Sequence, residues 1–220
     1  MIKAILFDFD GVIVNSMPYH IEAWQETFQP FDVYLEPDDV LLTEGCRSIE
    51  LARLVAERHS LGLTESELGS ITRRKTELYH EITRAEVNPD VEPLLTMIRG
   101  FGVRTGLVTG SALASIQDTL PGNISVLLDI IVTGDDVEFG KPDPAGYLKA
   151  AETLGVAPGQ CLVVENAPLG IEAAKRAGMT VLALGTTLAR SHLEAADFYA
   201  DSLSGLLDRI PVVLNGRSAS

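Results

Sequence analysis

The chain has 220 residues, 46% of them apolar, and carries 31 acidic against 17 basic side chains, a formal net charge of −14. That length suits one large domain or a domain with a smaller insertion, and the apolar share provides for a core. The acidic balance leaves no basic stripe to neutralise phosphates, which excludes nucleic acid and an anionic membrane as expected partners. Cys46 and Cys161 stand far apart in no metal-ligand spacing and read as reduced core or near-core residues, with no disulfide framework. No signal-peptide pattern precedes the first strand and no apolar run approaches a bilayer span, so a soluble, cytoplasmic protein is expected.

In chain order, Ile2 and the run Ala4-Ile5-Leu6-Phe7 read as a buried strand that ends abruptly in Asp8-Phe9-Asp10-Gly11. Strand residues i and i+2 project to one side, so Asp8 and Asp10 bring two carboxylates together, which a cation or a proton must relieve. A divalent metal is the natural candidate; the other reading is a turn cap, since Asp before Gly is common turn chemistry. After Asn15-Ser16 the strand signal gives way to helices. One carries Ile21, Trp24 and Phe28 on a face, one spans 48–59, and Thr64-x-x-Glu67 is a capping box opening a long helix with Leu68, Ile71, Leu78 and Ile82. The turn-rich Val87-Asn88-Pro89-Asp90 closes this bundle, which reads as an insertion with two connections.

From Val91 helix and strand alternate. Helices are expected over 91–99, 112–119, 144–154 and 169–177, and strands over 103–108, 130–132, 161–164 and 181–184. Such alternation predicts a parallel α/β sheet covered by helices, with the N-terminal strand at its centre. The fold class is therefore a doubly wound parallel sheet, Rossmann-like, with an inserted α-helical domain. The domains are read as 1–15 plus 88–220 for the sheet and 16–87 for the helices, and the polar tail 215–220 is expected to fray.

Polar residues collect where the strands end, the place at which open α/β sheets bind ligands. Thr109-Gly110-Ser111 offers a hydroxyl and backbone amides before a helix, suited to phosphate or simply an N-cap. Gly140-Lys141-Pro142 holds one lysine in a rigid loop, as a charge for phosphate or a partner for an aspartate nucleophile. Glu165-Asn166 supplies oxygen donors of the kind magnesium takes. In the helical insertion, His20 and Trp24 lie one turn apart, Arg47 follows Gly45-Cys46, and Lys75 interrupts an apolar stripe and so calls for an anion.

Taken together, Asp8-Phe9-Asp10-Gly11-Val12, Thr109-Gly110, Lys141-Pro142 and Glu165-Asn166 resemble the four motifs of the haloacid dehalogenase-like phosphotransferases. The helical insertion resembles the cap of the subgroup that contains β-phosphoglucomutase and phosphoglycolate phosphatase. The resemblance implies that Asp8 is the nucleophile, forming an aspartyl-phosphate, and that Asp10 is the general acid/base, with its main-chain carbonyl on Mg2+. Thr109 and Gly110 would bind the phosphoryl group, Lys141 would offset its charge, and Glu165 and Asn166 would complete the metal site. Asn166 departs from the aspartate more often found there. His20, Trp24, Arg47 and Lys75 match cap residues that face substrate, the arginine taking a distal phosphate. The expected function is a monomeric, magnesium-dependent phosphatase of small phosphorylated metabolites, with a β-phosphoglucomutase-like mutase as the alternative. A non-catalytic phospho-acceptor of the receiver type is a further alternative, against which stand the helical insertion and the acid/base aspartate.

Overall fold

The computed structural model describes residues 1–117 and 119–214, so the tail at 215–220 lies outside the described residues. Six parallel strands form one sheet: β1 (Ala4–Phe7), β2 (Arg104–Val108), β3 (Ile130–Val132), β4 (Cys161–Glu165), β5 (Thr180–Leu184) and β6 (Phe198–Ala200). Their spatial order is β3-β2-β1-β4-β5-β6, with every neighbouring pair parallel. β1 is central as expected, with Phe7 in register with Leu107 on one side and Val164 on the other. The chain runs outward from β1 to β3 and then restarts at β4 in the opposite direction. This places the topological switch, and its crevice, beside the carboxyl end of β1.

The strands are apolar throughout because both sheet faces are covered. Ile5 and Phe7 join α5 (Val91–Gly100) and α10 (Leu203–Leu214) in one core, through Leu94, Leu95, Ile98, Leu203 and Leu206. Ala4 and Leu6 face the other way, toward α8 (Ala145–Leu154) and α9 (Pro168–Arg176), in a second core. That second core runs on into the helical insertion and includes Trp24, Phe28, Leu51 and Val55, so the inserted bundle shares apolar contact with one face of the sheet.

The insertion consists of α1 (Met17–Phe28), α2 (Pro37–Leu41), α3 (Ser48–Arg58) and α4 (Glu65–Ile82). The expected capping box opens α4, with Thr64 accepting from the Glu67 amide and Glu67 accepting from the Thr64 amide. Two chain crossings join the bundle to the sheet and are tied to each other: Asn15 N donates to Glu86 O at 3.1 Å and Asn88 N to Ile13 O at 2.9 Å.

The remaining elements are short, namely α6 (Leu113–Gln117) and α7 (Gly122–Ser125). Four elements carry no clear sequence signal: α2 and α7 are single turns, β6 is a three-residue edge strand, and α10 contains Pro211. No helix among the described residues is long and apolar enough to cross a membrane.

Leu6 is fully buried, and its Cδ2 lies 2.8 Å from where a Cβ on Gly106 would stand, so β1 and β2 are packed without slack. Leu6→Ala is expected to lower unfolding free energy by about 2–5 kcal/mol, as cavity-forming core truncations do. Urea denaturation checks this, and a loss below about 1 kcal/mol would contradict the packing described.

Candidate active site

The site begins where β1 stops. Asp8 N continues the ladder to Val164 O at 3.0 Å, and the chain then curls so that the amides of Ile13 and Val14 converge on Phe9 O at 2.9 and 3.0 Å. Phe9 is buried in the apolar core, which turns Asp8 and Asp10 together to the opposite side. Gly11 has φ +78°, and a Cβ there would lie 2.3 Å from Asn166 Nδ2, so both conformation and space require glycine.

Lys141 lies between two carboxylates. Its Nζ is in ion-pair contact with Asp8 Oδ1, 2.6 Å from Glu165 Oε1, and donates to Val108 O at 3.2 Å. Burial works against the ammonium, but Asp8 and Glu165 outweigh it and hold the Lys141 pKa well above its usual value. Glu165 also accepts from Tyr147 Oη at 2.7 Å on Oε1 and from the amides of Asn166 and Ala167 at 3.0 and 3.3 Å on Oε2. Both its oxygens are engaged, so Glu165 anchors the lysine.

Asp10 is held from two directions. Ser111 Oγ donates to Oδ2 at 2.8 Å, while Ser16 Oγ at 2.6 Å and His20 Nε2 at 3.0 Å reach Oδ1. Burial alone would raise its pKa, but His20 and the two hydroxyls prevail and hold the carboxyl well below the usual range. His20 stacks on Tyr79 with ring centres 4.1 Å apart, and its Nδ1 lies 2.7 Å from Lys75 Nζ. An ammonium can only donate, so Nδ1 accepts from Lys75 and Nε2–H donates to Asp10, which assigns His20 as the neutral tautomer. Burial first and Lys75 second lower the His20 pKa, and burial brings Lys75 to about 8.

Buried carboxylates outnumber the cations beside them: Asp8, Asp10, Glu44 and Glu165 share the interior with Lys141 and Lys75. Burial raises the Asp8 pKa to about 8, with Glu165 and Asp10 adding to the effect against Lys141. Glu44 is raised well above its ordinary value by burial and then by Asp8. Asn166 Nδ2 donates to both oxygens of Glu44 at 3.0 Å and to Thr187 Oγ1 at 3.0 Å, whereas Asn166 Oδ1 is buried without a hydrogen-bond partner.

A buried amide oxygen left bare costs about 1–3 kcal/mol and signals a missing ligand. Among the described residues no three His, Cys, Asp or Glu side chains form a metal cluster. A hard cation here would therefore use mixed oxygen donors: Asp8, the Asp10 main-chain carbonyl and Asn166 Oδ1. The excess of carboxylate and the bare oxygen fit magnesium.

Asp8, Asp10, Glu44 and Ser111 open onto a narrow cleft of about 70 Å³ whose walls include His20, Trp24, Lys75, Thr109 and Gly110. The structure thus brings together Asp8, Asp10, His20, Trp24, Lys75, Thr109 and Gly110, with Lys141 and Asn166 on the floor. Arg47 is placed differently. Its Nη1 donates to Glu138 O at 2.6 Å, and the residue lines a separate, outward cavity with Arg73. The helix end after Thr109 is also not free for phosphate: Leu113 N donates to Asp135 Oδ2 at 2.9 Å, and Ser111 N to Thr109 Oγ1 at 3.0 Å. Burial pushes the thiols of Cys46 and Cys161 up to about 12 and about 11, consistent with inert, reduced cysteines.

Residues 2–178 match the haloacid dehalogenase-like hydrolase family. The chain belongs to that family. Validoxylamine A 7'-phosphate phosphatase of Streptomyces hygroscopicus subsp. limoneus is 34% identical, over 93% of this chain and 95% of that protein. Hexitol phosphatase A of Escherichia coli K12 is 31% identical over 91% of both. The crystal structure of β-phosphoglucomutase from Clostridium difficile superposes with a TM-score of 0.85 at 25% identity, covering 98% of this chain and 96% of that one. The resemblance of its four motifs and its sheet to this haloacid dehalogenase-like family is thereby borne out. Ser16, Glu44 and Tyr147 complete the site and were not among the residues singled out by sequence, while Ser111, read there as part of the Thr109-Gly110-Ser111 turn, holds Asp10 instead.

Lys75 depresses the His20 pKa by its charge, so Lys75→Met is expected to raise it, in part only because burial persists. Imidazole NMR titration reads this directly. An unchanged or lower His20 pKa would contradict the assigned hydrogen-bond direction.

Proposed function

We propose that this protein is a magnesium-dependent phosphatase of small phosphorylated metabolites, sugar phosphates foremost, acting as a cytoplasmic monomer. The enzyme is a phosphohydrolase of the haloacid dehalogenase-like family, with residues 16–87 as the cap over a core of 1–15 and 88–220. One observation supports the reading most: Asp8 is ion-paired with Lys141 beneath the cleft, and Asp10 is oriented two residues away by Ser16, His20 and Ser111.

In the first step an Asp8 carboxylate oxygen attacks phosphorus, the P–O ester bond breaks, and Asp10 gives a proton to the leaving oxygen. Lys75 to His20 to Asp10 is a continuous donor chain along which Asp10 can receive that proton. In the second step Asp10 takes a proton from water as the water attacks the aspartyl-phosphate, releasing phosphate and restoring Asp8. The depressed Asp10 pKa suits this step, because the group stands ionised near neutrality. Lys141 offsets charge on Asp8 and the phosphoryl group, and Thr109 with the Gly110 amide orients its oxygens. Magnesium, held by Asp8, the Asp10 carbonyl and Asn166, would neutralise phosphoryl charge and so ease approach of the carboxylate.

A mutase of the β-phosphoglucomutase kind is the second reading, favoured by the structural likeness and by His20 and Lys75. It needs a place for a distal phosphate, and Arg47, the expected ligand, is instead bonded to Glu138 O outside the cleft. This favours hydrolysis.

A panel of phosphate esters with magnesium is expected to release inorganic phosphate, and EDTA to stop the release. β-Glucose 1-phosphate with a trace of the bisphosphate should give no glucose 6-phosphate; isomer formation without net phosphate release would decide for the mutase. Asp8→Asn is expected to abolish turnover, and Asp10→Asn to lower kcat by about 10²-fold or more. Full activity of the Asp8 variant would overturn the nucleophile assignment.

A further inference from the structure

Glu44 has no role in the chemistry above, and its position is unusual. It lies in the cap between α2 and α3, yet it is buried and touches Asn166 on the floor of the core. Among the described residues its carboxyl group has no cationic partner, and the hydrogen bonds that group accepts are the two from Asn166 Nδ2. A carboxylate buried on the strength of one amide is poorly compensated. The opposite end of the same amide, Asn166 Oδ1, is fully buried and has no partner at all. One side chain therefore joins a buried carboxyl group without a cationic partner to an oxygen without a hydrogen-bond partner.

Asn166 supplies an oxygen donor to a hard cation but no charge, which lowers the anionic character of the core's share of the site. Glu44 restores one negative charge an amide's width away. The loop that carries it is firmly seated: Lys141 N donates to Gly45 O at 3.2 Å, and a Cβ on Gly110 would lie 2.6 Å from Gly45 O. Glu44 thus reaches the floor only while this cap loop lies against the core.

We propose that Glu44 is a cap-borne carboxylate ligand for the divalent cation, taking over the charge that Asn166 does not provide, so that core and cap hold the metal jointly. The inference rests on the metal reading of the site given above. Because such coupling is reciprocal, closure of the cap strengthens metal binding by the same factor by which metal favours closure.

The test uses Mn2+ as the probe, its affinity for the full-length protein measured by electron paramagnetic resonance without substrate. Glu44→Gln is expected to weaken Mn2+ at least about 10-fold, in the range that metal-site supporting residues command. Glu44→Asp should retain part of the affinity, and Glu44→Gln combined with Asn166→Asp should recover it. In EDTA, Glu44→Gln should melt at the same temperature as wild type or higher, because it removes a buried carboxyl group that has no cationic partner. A merely structural Glu44 predicts the reverse, a lower melting temperature with Mn2+ affinity unchanged, and that result overturns the proposal. Added Mg2+ should increase hydrogen-exchange protection at Gly45 and Arg47 in wild type and not in Glu44→Gln; no increase in wild type would refute the coupling to the cap. Failure of wild type to bind Mn2+ would instead remove the metal reading itself, and this inference with it.

Discussion

The placement of a single ammonium organises the catalytic floor. Lys141 Nζ meets Asp8 from β1, Val108 O from β2 and Glu165 from β4, so three adjacent strand ends are joined through one cation. Such a cation survives burial only if its partners are themselves fixed. Glu165 is fixed by Tyr147 from α8 and by two backbone amides at the start of α9. Gly170 makes room for it, since a Cβ there would fall 1.8 Å from Glu165 Oε1. The partner of Asp8 therefore depends on packing several residues away from Asp8 itself.

The topology explains why these groups meet. β1 has the sheet's two directions of winding on its two sides, so the loops after β2 and β4 diverge and leave the end of β1 exposed to a crevice. The helical insertion departs from that same end, its first helix starting at Met17, and the chain returns through Val87 against Val14. A bundle joined to the sheet this close to Asp10 cannot move without altering the surroundings of that carboxylate.

Much of this was legible in the sequence because the informative residues are neighbours in the chain at strand ends. Asp8 and Asp10, Thr109 and Gly110, and Glu165 and Asn166 announce themselves as polar pairs terminating apolar runs. The supporting residues do not. Ser16 and Ser111 look like ordinary turn and cap hydroxyls, Tyr147 like a core aromatic in α8, and Glu44 like one more acid in an acidic chain. Their meaning lies in tertiary contacts over separations as long as 122 residues, as between Glu44 and Asn166. Arg47 shows the opposite case: its residue type and position match a cap motif, but the competing Glu138 carbonyl takes its guanidinium. Edge strand β6 and the proline-bearing α10 escaped notice because tertiary packing, rather than local propensity, stabilises them.

Asp10 shows how cap and chemistry are connected. One of its oxygens is held from the core by Ser111 and the other from the cap side by Ser16 and His20, so its full complement of donors exists only when both bodies are in place. Opening the cap withdraws the His20 donor and the Lys75 charge behind it, and water then replaces a positioned N–H with a mobile one. Asp10, which the proposed mechanism would have activate water, is thus most strongly oriented when the helical insertion lies against the sheet domain. On the proposed mechanism, hydrolysis of an aspartyl-phosphate would use a water held in the cleft beside Asp10, rather than random access from solvent.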